Sequence, residues 1–248
     1  MLSFLKAKKS LLSVLQGGID IHNHLLPGID DGAETLADTL ALISAYNRNN
    51  ITQIIATPHI MSGHYPNTKR SITEALKKTK KLLKENGLNH IKITAAAEYM
   101  IDDYFEELLE RDELLTLKEN YVLIELSYYS PPINLYDLIY KLILKGYTPI
   151  LAHPERYTFY HQDHESYKKL KELGCLFQLN LLSLTPYYGS EIMKTAKLLL
   201  KNGYIDFVAS DIHNQNQLKT LKDCTICGNM QSLLKKCSLR TNELFSQT

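Results

Sequence analysis

The sequence predicts a single α/β domain whose parallel strands close into a barrel. Three observations carry that expectation. Short β-rich runs alternate with amphipathic helical stretches from Gly18 to about Leu234, the signature of repeated βα units. Gly87, Gly146, Gly174 and Gly203 fall where the helical patterns should stop. No GxGxxG motif or P-loop follows any strand, which favours a closed barrel over an open nucleotide-binding sheet. The 248 residues, 44% of them hydrophobic, suit one continuous core better than two small ones.

In chain order the seven candidate strands are Ile19 to His22, Gln53 to Thr57, Ile91 to Ala97, Tyr121 to Leu126, Thr148 to Leu151, Leu176 to Asn180 and Phe207 to Ser210. Helical patterns lie between them at Glu34 to Arg48, Thr68 to Lys84, Leu135 to Leu144, Ser166 to Leu173 and Ser190 to Lys201. Residues 1–17 form a basic, amphipathic N-terminal extension ahead of the barrel domain at 18–248. Within it, Phe4 to Leu15 reads first as a helix packed on the barrel, and second as a peripheral contact with a membrane surface.

Composition excludes several classes. The 28 basic and 27 acidic residues are spread along the chain, so no global field draws it to nucleic acid or an anionic membrane. No run approaches the ~20 apolar residues of a transmembrane helix, and no signal-peptide pattern follows the start. Cys175, Cys224, Cys227 and Cys237 are too few for a secreted disulfide framework, which makes a reducing cytoplasm the expected setting. Cys224 and Cys227 have zinc-knuckle spacing but no second pair, and read as incidental thiols.

In a parallel barrel the functional face is the carboxyl end of the strands. Here the residues that end the apolar runs are almost all metal-ligand types: Asp20, His22 and His24 after the first strand, His59 after the second, and Glu98 after the third. Glu125 ends the fourth, His153 the fifth, and Asp211 with His213 the seventh. Residues two apart in a strand share a face, so His22 with His24, and Asp211 with His213, can converge. Asp30-Asp31-Gly32, in the loop after the first strand, can fold back over the same region. A lone strand-end histidine or glutamate is usually just solvated or hydrogen-bonded. So many charges gathered together without cations would be prohibitively costly, however, so jointly they point to a multinuclear site for zinc, manganese or iron.

These motifs, with His153-Pro-Glu-Arg156 and Ser210-Asp-Ile-His213, resemble the polymerase and histidinol phosphatase (PHP) superfamily from Asp20 to about His213. Asp20 to Gly32, Leu123 to Leu126, Ile150 to Arg156 and Val208 to Asn214 look most like its bacterial capsule-associated protein tyrosine phosphatases. The resemblance implies a distorted (β/α)7 TIM-like barrel with two or three divalent ions, manganese first and iron or zinc as the others. By resemblance His22, His24, Glu98 and Asp211 hold one ion; Glu98, Glu125 and His153 a second; and Asp31, His59 and His213 a third. Asp30 would orient its loop. Arg156 would bind the substrate phosphate, and Arg156, His153 and Asp211 form the catalytic set. His64 and Tyr65 are further candidate substrate contacts. Relatives often carry an arginine just beyond the last Asp-x-His pair, where this chain reads Asn214-Gln-Asn-Gln-Leu-Lys219, so Lys219 is its candidate replacement.

The implied reaction is hydrolysis of phosphotyrosine by a metal-bridging hydroxide, on a partner expected to be the tail of a tyrosine kinase of capsular or exopolysaccharide synthesis. A phenolate leaves without a strong general acid, and no Cys-x5-Arg loop offers a phosphoenzyme route. Three other readings compete: a histidinol-phosphate or other small-molecule phosphomonoesterase, a nuclease, and a phosphate-binding scaffold without turnover. Asp30-Asp31-Gly32 stands where histidinol phosphatases tend to place a histidine and glycine, and a near-neutral chain is poorly equipped for a long polyanion.

Overall fold

The structure is a computed structural model that describes residues 9–226 and 228–246. In chain order its elements are β1 (Lys9–Ser10), β2 (Ile19–Asp20), α1 (Leu36–Arg48), β3 (Gln53–Ala56), β4 (His59–Ile60), α2 (Lys69–Glu85), β5 (Lys92–Ala95) and β6 (Glu98–Met100). There follow α3 (Asp103–Glu110), β7 (Tyr121–Glu125), α4 (Leu135–Leu144), β8 (Thr148–Ala152), α5 (His164–Glu172) and β9 (Leu176–Asn180). The chain ends with α6 (Ser190–Lys201), β10 (Phe207–Ala209), α7 (Gln215–Asp223), β11 (Thr225–Ile226) and α8 (Asn229–Phe245).

Seven parallel staves make the wall: β2, then β3 continued by β4, then β5 continued by β6, then β7, β8, β9 and β10. The ring closes where β10 meets β2. There Asn23 and Ile212 form a single parallel bridge, the His24 amide donates to the Ile212 carbonyl at 2.9 Å, and the Asp211 amide donates to that of His22 at 2.8 Å. Side chains reinforce the seam. The buried Asp20 carboxylate accepts from the Ser210 amide at 3.0 Å, the Ser210 hydroxyl at 2.5 Å and the Tyr46 hydroxyl at 2.7 Å.

The second and third staves are each broken near their carboxyl ends, and this is the distortion. Pro58 has no amide to donate, so the ladder of the second stave stops at Ala56 and resumes at His59. The third stave steps across Ala96 and Ala97 in parallel, and the Glu98 amide donates to the Pro58 carbonyl at 3.1 Å. His59 and Glu98 therefore lie in register, side by side at the barrel mouth. The uninterrupted third strand expected to Ala97 is corrected accordingly.

Ile19, Ile21, Ile55, Ala96, Leu123, Ile150, Ala152, Phe207 and Ala209 fill the interior, and Phe245 of α8 packs edge-on against Phe207 and Tyr121 to stop its amino-terminal end. The larger core lies between the wall and the helices. Gly87, Gly146, Gly174 and Gly203 all have positive φ, the left-handed backbone expected of them at helix ends.

The N-terminal helix expected at Phe4 to Leu15 is corrected for its described part. Lys9–Ser10 pairs antiparallel with β11, and Leu11–Val14 form one short 3-10 helix whose Leu11 and Leu12, followed by Leu15, are buried in the core. Residues 1–8 and Cys227, hence part of the basic extension and half of the Cys224/Cys227 pair, lie outside the described residues. No helix among the described residues is long and apolar enough to cross a membrane.

Candidate metal centre

The carboxyl ends of the staves deliver their polar residues to one buried point. His22, His24, Glu98, Glu125, His153 and Asp211 are all within 2% of complete burial. Five contacts tie the first group together: His22 Nε2 lies 3.1 Å from Glu98 Oε2, 3.3 Å from Asp211 Oδ1 and 3.4 Å from His24 Nε2. His24 Nε2 lies 3.4 Å from Glu98 Oε2 and 3.3 Å from Asp211 Oδ1. Ligands about 2.0–2.1 Å from a tetrahedral ion stand roughly 3.3–3.4 Å apart, so these four atoms are spaced as the corners of one coordination shell.

The neighbouring atoms repeat the pattern. His59 Nδ1 lies 3.1 Å from Glu98 Oε2 and 2.9 Å from Glu125 Oε1, and His153 Nε2 lies 3.0 Å from Glu98 Oε1. Asp31 Oδ1 stands 3.5 Å from both His59 Nε2 and His213 Nε2, and the same region holds His24, whose ring stacks on His213 at 3.9 Å. The grouping thus differs from the one the resemblance implies in three respects: His59 joins Glu98 and Glu125, His24 joins Asp31, His59 and His213, and His153 stands outside the three groups, its Nε2 meeting only the other Glu98 oxygen. Glu98 Oε2 and His59 Nδ1, 3.1 Å apart, are buried without an aligned hydrogen bond. Atoms that approach so closely, yet are left unpaired, fit donors for a shared cation.

Electrostatics point the same way. Burial alone would raise the carboxyl pKa of Glu98 and Asp211. The facing His22 reverses this at both, helped by His59 at Glu98 and by His24, His213 and Arg156 at Asp211, and both carboxyls sit well below the usual range. Burial likewise works against protonated His59, but Glu125 and Glu98 raise its pKa to about 9. His24 is held well above its ordinary value, against burial, chiefly by Asp30. Without metal, a protonated His59 supplies positive charge beside the Glu98 and Glu125 carboxylates.

Surrounding groups aim the candidate ligands. His22 Nδ1 meets the Gln178 side-chain oxygen at 2.7 Å and His24 Nδ1 meets Asp30 Oδ2 at 2.8 Å, which turns each Nε2 toward the cluster. Asp30 also accepts from the Gly32 and His59 amides, so it orders the loop and is absent from the ligand groups. Five described non-glycine residues have positive φ, and two of them, His153 at 35° and Asp211 at 52°, stand in the cluster.

The cluster opens into a cleft of ≈ 280 Å³ lined by Asp31, His59, Glu125, Tyr128, His153, Arg156, Tyr187, Tyr188, Asp211, His213, Asn214 and Gln217. Asp211 divides its carboxylate. Oδ1 faces His22 and His24, while Oδ2 accepts from Arg156 Nη1 at 2.9 Å and from Asn180 Nδ2 at 2.7 Å. The Arg156 guanidinium lies 4.8 Å from the Tyr128 ring and 4.4 Å from the Tyr188 ring.

Tyr65 stacks on His59 at 5.3 Å and His64 is exposed in its turn; neither is in the cleft lining. Lys219 is exposed on α7 and absent from the cleft lining, whereas Asn214 at the amino-terminal cap of that helix and Gln217, two residues before Lys219, line it. Sequence reasoning missed Gln178 and Asn180, which the apolar run of the sixth stave carries inward, and Tyr128 and Tyr188, loop aromatics with no periodic signal.

A closed parallel barrel with a buried imidazole and carboxylate cluster at the carboxyl ends of its staves defines the class of barrel metallohydrolases. Within that class, residues 18–236 match the family described as "Capsular polysaccharide synthesis, CpsB/CapC", and the chain belongs to that family. It is 37% identical over 198 residues to the tyrosine-protein phosphatase YwqE of Bacillus subtilis, covering 79% of this chain and 77% of that one. It is 32% identical over 199 residues to the putative tyrosine-protein phosphatase CapC of Staphylococcus aureus, covering 79% and 77%. Among solved structures, one from a study of YwqE and of CpsB from Streptococcus pneumoniae, described as unique metal-dependent tyrosine phosphatases, superposes with a TM-score of 0.77. The two share 31% identity over 93% of this chain and 96% of the other. The histidinol phosphate phosphatase of Lactococcus lactis, at 14% identity and a TM-score of 0.55 over 90% of this chain and 94% of that one, shares the fold.

Proposed function

We propose that this chain is a metal-dependent protein tyrosine phosphatase that removes phosphate from the tyrosine-rich tail of a bacterial kinase of capsular or exopolysaccharide synthesis, in the cytoplasm. The observation that carries this reading is the shared carboxylate of Asp211, which joins a cation-spaced ligand set to a cleft-lining arginine. A phosphate monoester needs both kinds of partner at once.

His22, His24, Glu98 and Asp211 would hold one ion, Glu98, Glu125 and His153 with His59 alongside a second, and Asp31, His59 and His213 a third, with manganese the first choice and iron or zinc compatible. When bound, such ions neutralise phosphate charge and lower the pKa of coordinated water from about 15.7 toward about 7. Arg156 presents its planar fork to the non-bridging phosphate oxygens from the wall formed by Tyr128 and Tyr188. Gln178 and Asp30 keep His22 and His24 in the tautomer that offers Nε2. The tyrosine phenol, with a pKa of about 10, leaves far more readily than an aliphatic alkoxide, so the cleft needs no strong acid.

The test is to purify the protein, determine its metals, and assay a phosphotyrosine peptide, histidinol phosphate and single-stranded DNA before and after chelation, alongside His153→Ala. Chelator-sensitive phosphate release from the peptide, lost in the variant, is the expected result. Preference for histidinol phosphate would keep the centre and overturn the substrate. Bound metal without turnover of any of the three would overturn the enzyme.

A further inference from the structure

The described residues expose eight large hydrophobic side chains, and five of them, Leu36, Tyr128, Tyr129, Ile133 and Tyr187, stand in or at the end of connections that leave the carboxyl ends of the staves, Tyr128 and Tyr187 lining the cleft itself. Three of the five belong to one connection, Ser127-Tyr-Tyr-Ser-Pro-Pro-Ile133, which leaves β7 two residues after Glu125 and enters α4. Tyr129 is 95% exposed and Ile133 is 106% exposed, against 41% for Tyr128, which lines the cleft from the same loop. Pro131 and Pro132 restrict the backbone between them. Single apolar residues on a surface need no explanation, but a group of them gathered at the mouth of a polar cleft does.

The size of the cleft limits what it can hold. At ≈ 280 Å³ it lies at the low end of the roughly 300–1,000 Å³ of small-molecule sites, with Arg156 and the metal centre occupying its floor. One phosphorylated side chain is therefore what it admits. The neighbouring residues of any polypeptide substrate must run outside, over the connections that form the rim.

We infer that the 127–133 loop is a substrate-docking surface, on which Tyr129 and Ile133 bury apolar residues flanking the phosphotyrosine of a polypeptide substrate. The inference rests on the phosphatase reading and adds a determinant of affinity outside the chemical centre. Neither side chain lies in the cleft lining or touches a candidate ligand, so each can be changed without altering the reaction.

The experiment compares three substrates at saturating metal: a small aryl phosphate, a phosphotyrosine peptide flanked by leucine and valine, and the same peptide flanked by glycine and serine. They are offered to the unaltered chain, Tyr129→Ser, Ile133→Ser, the double variant, and Leu239→Ser, a control on α8. Burial of one large apolar side chain is worth enough that kcat/KM for the apolar peptide should fall roughly ten-fold in each single variant, through KM. Turnover of the aryl phosphate and of the glycine-serine peptide should stay unchanged, as should every activity of Leu239→Ser. Equal turnover of the two peptides by the unaltered chain, or double-variant kinetics that match it on the apolar peptide, overturns the docking surface while the phosphatase stands. Failure of the unaltered chain to hydrolyse even the aryl phosphate overturns both.

Discussion

Replacing Gly32 by alanine should disable the centre without unfolding the barrel. A Cβ at this position would stand 2.1 Å from the His24 carbonyl oxygen, 2.4 Å from the His24 Cβ and 2.8 Å from its carbonyl carbon. Ordinary contact is above 3.4 Å, so the loop or His24 must retreat by more than an ångström. Neither can do so freely: the Ala33 amide donates to that carbonyl at 3.0 Å, and the Gly32 amide donates to Asp30, which meets the His24 ring. Overpacking of this kind costs about 1–3 kcal/mol, and a domain of this size loses roughly 2–4 °C of Tm per kcal/mol. The larger effect is on chemistry, because an ångström of misplacement at Asp31 and His24 should cost on the order of 100-fold in kcat/KM. Thermal unfolding, metal content and aryl phosphate turnover, each against the unaltered chain, measure these terms separately. A variant with unchanged Tm and a rate within two-fold would refute the close-packing argument.

Gln178→Leu should leave the His22 Nδ1 proton unpartnered and weaken metal binding roughly 10–100-fold, read by titration with manganese; unchanged affinity would show that the 2.7 Å contact does not fix the ring. Arg156→Lys should keep the charge but lose the fork and most of the stacking between Tyr128 and Tyr188, lowering kcat/KM roughly 10–100-fold, whereas full activity would mean that a point charge suffices. His59, with its pKa raised to about 9, is protonated at pH 7 in the metal-free chain and must lose that proton to coordinate. Apparent metal affinity should therefore rise with pH between 6.5 and 8.5, by up to about ten-fold per unit for each proton released. A flat profile in calorimetric titrations would refute it.

The seven staves were legible because each is a short apolar run closed by a polar residue, and the mouth of a parallel barrel is where such residues end. The break at Ala96-Ala97 was hidden because apolar character runs straight through it, and at Pro58 it was the resumption of the second stave at His59–Ile60 that went unread. Helices α3, α7 and α8 escaped notice for related reasons. α3 spans only eight residues, α7 presents few apolar positions, and α8 buries Cys237 and Thr241 where a clear stripe would show leucine. At the centre, residue type announced the histidines and carboxylates. Which ligand stands beside which depends on side-chain reach across the mouth, so the placing of His59 with Glu125 could not be read from order along the chain. Lys219 was named from its charge and its place in the chain; the helical angle of α7, which turns it away from Asn214 and Gln217, appears only in the structure.

The seam between β2 and β10 also governs when the protein can acquire its chemistry. Asp20 and Ser210 are 190 positions apart, and the first ligand group takes His22 and His24 from one side of that junction and Asp211 from the other. During synthesis, nearly the whole polypeptide must therefore emerge before this group can assemble. Truncated chains lacking the last stave would carry His22, His24 and Glu98 with no fourth corner. A cation bound there would act as a clasp across a junction where, among the described residues, the ladder narrows to a single bridge, tying completion of the chain to the onset of activity.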